Sequence, residues 1–244
     1  MLTEQQIARY SRQIILQPVG GKGQQRLLSA SAAIVGRGEM AATAALYLTA
    51  AGIGEITLAK PMARDPASHG MDAGDLEALN PDCHVALSSL SFDAATAEEI
   101  ARRHDVIIVA GAAVDATVSL NLACVRLCKP LVWGSAAGNI GWMTVLAGDQ
   151  PGTPCYGCLW RCLKETRPDG AFAQLAGAVF GAVSAFVGTL QATAVIKLIL
   201  GLEASTPARL LTYDALAAVV HDTHIEKDPC CEACGAVQVR VRRS

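Results

Sequence analysis

Aromatic residues make up only 5% of this 244-residue chain, and charged residues only 17%. The formal net charge is -2, so no basic excess draws the chain onto nucleic acid. No low-complexity linker and no internal repeat divides the sequence. The N-terminal "MLTEQQIARYSRQ" is polar and amphipathic, unlike a secretory leader, and a cytoplasmic protein is expected. An unbroken apolar run of the roughly 20 residues that a bilayer requires is also missing. "LAGAVFGAVSAFVGTLQATAVIKLIL" (175–200) comes nearest, but Gln191 and Lys197 interrupt it and it is rich in Ala and Gly. It reads as a buried helix packed on a sheet or on a second subunit, not as a membrane span. The scarcity of charge likewise predicts an apolar surface against another subunit.

Apolar residues are abundant, at 52%, and so is cysteine, with nine residues. "SAAIVGRGEMAATAALYL" (31–48) reads as a buried strand, a tight turn at Gly36 and Gly38, and a helix. Such a helix N-terminus is a favourable seat for phosphate, because unpaired N–H groups and the helix dipole point at it. Further strands follow at "GIGEITLA" (52–59), "CHVALSSL" (83–90), "DVIIVAG" (105–111) and "PLVWGSA" (130–136), with helical segments between them. This alternation predicts an α/β fold: a Rossmann-like, mostly parallel sheet with helices on both faces. The grammar then changes. "GNIGWMTVLAG" (138–148) and "ARLLTYDALAAVVHDTHI" (208–225) read as an antiparallel back edge, the second with a tight turn near Asp214. One domain over residues 1–244 is expected.

Cys155 and Cys158 form one CxxC pair, and Cys231 and Cys234 form another. Two separated pairs of this spacing point to a structural zinc site with four cysteine ligands. Cys83, Cys124 and Cys128 read as small buried core residues, and Cys162 as a loop cysteine with a nucleophile as its alternative.

"RYSRQIIL" (9–16), "IVGRG" (34–38), "YLTAAGIGEITL" (47–58), "LNPD" (79–82), "DVIIVAG", "PCYGCLW" (154–160), "GTLQATAVIKLILG" (188–201) and "CEACG" (231–235) occur in order along almost the whole chain. In this set the sequence resembles the bacterial ThiF/MoeB/HesA proteins, relatives of the ubiquitin-activating E1 enzymes. The resemblance implies a homodimer or heterodimer, a structural zinc, and ATP-dependent adenylation of the C-terminal glycine of a small ubiquitin-like sulfur carrier. It implies that Arg12 reaches across the dimer into the partner's ATP site; the alternative is a solvated helix residue.

Four parts of the ATP site depart from that family's pattern. Where its glycine-rich loop reads GxGGxG, this chain has Gly36-Arg37-Gly38-Glu39-Met40-Ala41, which places a carboxylate at the phosphate end. Lys60 stands where an acidic residue would grip the ribose. "PMARDPASHGMDAGDLEA" (61–78) is too short for the family's cationic stretch and leaves Arg64 as its replacement. Gly111-Ala112-Ala113 replace a Thr-Asp-Asn whose Asp holds Mg²⁺; Asp115 follows and reads as a helix cap. The expectation is therefore a catalytically degenerate protein: an inactive partner of an active paralogue, or a scaffold. On this reading Gly36 and Gly38 form a vestigial nucleotide loop and ATP–Mg²⁺ binding is doubtful. The alternative is an active adenylyltransferase with a site rebuilt from Arg37, Lys60 and Arg64.

Overall fold

A computed structural model describes residues 1–61, 73–90, 93–166, 178–202 and 208–235. Along the chain these form α1 (Glu4–Arg9), α2 (Ser11–Ile14), α3 (Gly20–Leu28), β1 (Ser31–Gly36), α4 (Gly38–Ala51), β2 (Glu55–Pro61), α5 (Ala73–Leu79), β3 (His84–Leu90) and α6 (Ala94–Arg103). Then come β4 (Val106–Ala110), α7 (Val114–Leu127), β5 (Leu131–Ala137), β6 (Ile140–Leu146), α8 (Tyr156–Thr166), α9 (Gly181–Leu200), β7 (Arg209–Asp214) and β8 (Val219–His224).

The strands form one eight-stranded sheet in the order β3-β2-β1-β4-β5-β6-β7-β8. The first five are parallel and the last three join antiparallel, as the change in sequence grammar predicts. Period-two alternation sends side chains of β1 into two separate cores. Ala32 and Ile34 meet residues of α4 and α9 on one face. Ala33 and Val35 meet residues of α6, α7 and α8 on the other. On that second face Tyr156 lies 5.9 Å from Trp133 and 6.1 Å from Trp160, ring centre to ring centre. Asp93 caps α6, its carboxylate accepting from Thr96 N–H at 2.8 Å.

Several local expectations are corrected. The amphipathic N-terminal segment forms two short helices that break at Tyr10, and Tyr10 is buried while Ile7 and Ile15 are 51% and 79% exposed. Cys128 is exposed, at the end of α7, because it takes the left-handed C-cap position (φ 55°) and turns away from the core.

The long apolar helix is α9, and its length and composition would suffice to cross a membrane. One face of it packs within this chain. Val183, Val187, Gly188, Gln191, Ala192 and Val195 are buried. Gly188 packs onto α4 of the same chain, while Gly181 at the start of the helix is exposed.

Candidate functional site

The chain leaves β1 towards β2 and β3 on one side and returns to β4 on the other. A crevice therefore opens above the C-terminal ends of β1 and β4, the usual ligand position in such sheets. Gly36 ends β1 at φ 149°, and a Cβ there would stand 2.0 Å from Ala110 O of β4. Glycine is required because the two strand ends touch backbone to backbone. Arg37 is the extended N-cap of α4 and supplies no side-chain cap hydrogen bond. The first N–H groups of α4 thus face the crevice without a side-chain cap. Gly38 and Gly111 both have positive φ, and a Cβ on either would meet nothing within 4 Å, so the loop lies under open space.

Glu39 is exposed in the first turn of α4. Its Cγ lies 3.8 Å from where a Cβ on Gly181 would be, so the side chain runs alongside the start of α9. That helix start carries no side-chain cap and no acidic residue in its first turn. A carboxylate beside such a helix start is favoured by the helix dipole. Asp115 does not cap α7: the N-cap is Ala113, which makes no side-chain cap bond, and Asp115 is an exposed carboxylate in the first turn. It stands just beyond the C-terminal end of β4, on the crevice side of the sheet. Lys60 sits near the C-terminal end of β2, in register with Ser89 of β3. Arg64 lies outside the described residues.

The N-terminal helices are fastened beside this scaffold. Tyr10 is 1% exposed. Its hydroxyl donates to Asp82 Oδ2 at 3.0 Å and accepts from Asn80 Nδ2 at 2.9 Å. Arg9 pairs with the same carboxylate, and Gln6 Nε2 donates to its other oxygen at 3.2 Å. Burial alone would raise the Asp82 pKa, but the hydrogen bonds from Gln6, Arg9 and Tyr10 bring it below the ordinary carboxylate value. Arg12, two residues beyond Tyr10, is exposed and makes no ion pair among the described residues. The motifs "RYSRQ" and "LNPD" thus meet in space, a coupling that neither string shows by itself.

At the other end of the sheet, Cys155, Cys158, Cys231 and Cys234 bring their four sulfurs within 4.8 Å of one another. Sγ–Sγ distances of 3.6 Å (Cys155–Cys231) and 3.5 Å (Cys158–Cys234) are far from the roughly 2.05 Å of a disulfide. They are close to the roughly 3.8 Å edge of a tetrahedron with Zn–S bonds of about 2.3 Å. Cys158 is the acidic thiol: the Cys155 hydrogen bond brings its pKa down to about 4. The same bond, with burial, drives Cys155 up, and burial pushes Cys234 up to about 12. Four crowded thiols cannot all ionise without a cation, and a divalent metal removes that conflict. Asp228 N–H donates to Cys158 Sγ at 3.4 Å, and Lys227 Nζ donates to Gly148 O at 3.1 Å. These contacts bind the tail to the end of β6 and the start of α8. The residues fit Zn²⁺ in a structural role, with all four positions taken by protein sulfur. Cys162 is half-buried on α8, outside this cluster.

Known proteins share this architecture. The curated relative "Adenylyltransferase and sulfurtransferase MOCS3-1" of Drosophila pseudoobscura pseudoobscura is 35% identical over 96% of this chain and 55% of its own length. The "Sulfur carrier protein adenylyltransferase" of Thermus thermophilus is 34% identical over 96% of this chain and 92% of its own. The chain spans about half the length of the first group of relatives. Among solved structures, E. coli MccB with ATP superposes with a TM-score of 0.75 at 20% identity, over 93% of this chain and 74% of that one. That likeness concerns the fold.

These names overturn the expectation of a catalytically degenerate partner or scaffold, because relatives sharing a third of their residues across the chain are named as adenylyltransferases. Two of the departures that the string shows are placed differently in space. Glu39 lies along α9, Asp115 is not used as a cap, and much of the segment that reads as too short lies outside the described residues. The ThiF family profile matches residues 10–59 and 72–233. With the crevice, the paired CxxC segments and the sequence relatives in agreement, the chain belongs to the ThiF family.

Proposed function

We propose that this protein is an ATP–Mg²⁺-dependent adenylyltransferase acting on the C-terminal glycine of a small sulfur-carrier protein. The observation that carries the reading is the match to the Thermus adenylyltransferase, which spans nearly the whole of both chains. The geometry gives it a chemical basis. A carboxylate oxygen of the carrier attacks the α-phosphorus of ATP, and pyrophosphate leaves as the acyl-adenylate forms. The uncapped N–H groups of α4 and the open loop at Gly36 and Gly38 suit the phosphates. Asp115 supplies an oxygen ligand of the kind Mg²⁺ takes. Lys60, Arg37 and Arg64 are the cations assigned to the charge that builds on the phosphates.

The antiparallel edge suits the carrier. β8 is exposed along its whole length, and among the described residues no strand pairs with its outer backbone edge. The β7–β8 turn lies at the same end of the sheet as the crevice, because Asp214 pairs with Ile140 beside the end of β5. Leu216, Val219 and Val220 are 75%, 40% and 48% exposed there. An extended segment or sheet edge of the carrier would find both backbone partners and apolar contacts.

A second copy is assigned to the face bearing Ile7, Ile15, Leu16 and Tyr47, all exposed, and Arg12 of each copy to the other's phosphates. The test is ATP–pyrophosphate exchange with purified protein, Mg²⁺ and a carrier ending in Gly-Gly. Carrier-dependent exchange is expected, with Asp115→Asn about 100-fold slower. No exchange above a blank with any such carrier would overturn the reading.

A further inference from the structure

The N-terminal arm, α1 and α2, contains no buried residue of its own. Tyr10, at the joint between the two helices, is the arm's buried side chain. Two short helices of this length have no stability in isolation. Besides the burial of Tyr10, the arm's polar contacts with the body converge on one carboxylate. Asp82 accepts from Gln6 and, one turn further on, from the adjacent Arg9 and Tyr10. Gln6 also closes the capping box of α1: its Oε1 accepts from Thr3 N–H at 3.1 Å while its Nε2 reaches Asp82. Asn80 carries the anchor inward, donating to Tyr10 Oη and to Thr49 O of α4 at 2.6 Å. The arm is thereby referenced to the helix whose N-terminus faces the crevice. Arg12 follows the joint directly and projects into solvent.

We propose that Asp82 is a positioning residue for adenylation: by holding Gln6, Arg9 and Tyr10 it sets the direction in which the arm presents Arg12 to a second copy's phosphates. This rests on the function proposed above. Asp82 touches no substrate. It acts through an arm whose other main hold is Tyr10, buried and bonded to Asn80, so removing its charge loosens three polar contacts together while Tyr10 stays packed. An arginine displaced by about 1 Å from a developing charge costs on the order of 100-fold in rate.

Two variants are mixed for the test. Asp82→Asn has an intact crevice and a loose arm; Asp115→Asn has an intact arm and a damaged crevice. Each alone is expected to lose about 100-fold in carrier-dependent ATP–pyrophosphate exchange. Co-purified mixed dimers are expected to recover exchange well above either variant, since one crevice is then served by one sound arm. Asp82→Glu, which keeps the charge, is expected to recover part of the rate alone. Mixed dimers no better than the separate variants would overturn the proposal, as would Asp82→Asn exchanging at the wild-type rate. If Asp82→Asn fails to fold, Tyr10→Phe with Gln6→Ala loosens the same anchor and takes its place in the mixture. Wild-type protein that exchanges nothing sinks the adenylation reading itself, an outcome separate from these.

Discussion

A Cβ built on Gly188 would stand 2.3 Å from the carbonyl oxygen of Met40, so α9 and α4 touch backbone to backbone at this point. Neither helix can move away without unpacking the core face that both cover. Gly188→Ala is expected to cost about 1–3 kcal/mol, as overpacking of a closed interface does. Urea denaturation reads it directly. A variant as stable as wild type would show that this contact is looser than described.

The crevice makes a paired prediction. Gly36→Ala forces a methyl group into the Ala110 carbonyl and should destabilise the fold by at least about 3 kcal/mol. Gly38→Ala meets open space, so its fold should lose only about 1 kcal/mol for the positive φ. On the proposed function that methyl stands where the phosphates bind, and ATP affinity by calorimetry should fall about tenfold, or 1.4 kcal/mol. Equal losses of stability in the two variants would contradict the geometry.

Metal analysis of purified protein should give about one zinc per chain. Cys158→Ser should abolish it and lower the midpoint of thermal unfolding. Metal-binding energy is folding energy here, so a loss of at least about 3 kcal/mol, roughly 6–12 °C, is expected. Wild-type protein without zinc, or a serine variant that retains it, would remove the assignment of Cys155, Cys158, Cys231 and Cys234.

Asp82 gives stability a pH dependence. Its folded pKa is depressed, so its contribution is complete above the unfolded carboxylate value and is lost as pH falls through the folded one. Wild-type stability should therefore drop on acidification below about pH 4 more steeply than that of Asp82→Asn. Tyr10→Phe should cost about 1 kcal/mol at neutral pH, the ordinary value of a buried hydrogen bond. Parallel acid titrations of the two proteins would refute the linkage.

Whatever is local or periodic in this protein is legible in its chain alone. Alternating apolar strands and helices specify the parallel sheet, since buried strands need helices on both faces. CxxC spacing specifies the thiol cluster, because two thiols three residues apart reach one ion. The turn glycines mark the strand–helix junction, where only they tolerate the backbone. Periodicity also identifies the apolar helix α9, but it says which face is apolar and not what covers it. A sheet and a second subunit therefore read equally well as its cover, and only the fold shows that α4 of the same chain lies against Gly188. The direction of a charged side chain is likewise set by neighbours distant in sequence. Glu39 lies along α9, and Asp115 is free of capping, because of where Gly181 and Ala113 stand. The meeting of Arg9 and Tyr10 with Asp82, more than 70 residues away, exists only once β3 is docked in the sheet. Packing settles these points because contact between remote segments is fixed by the whole fold and leaves no periodic trace in the chain.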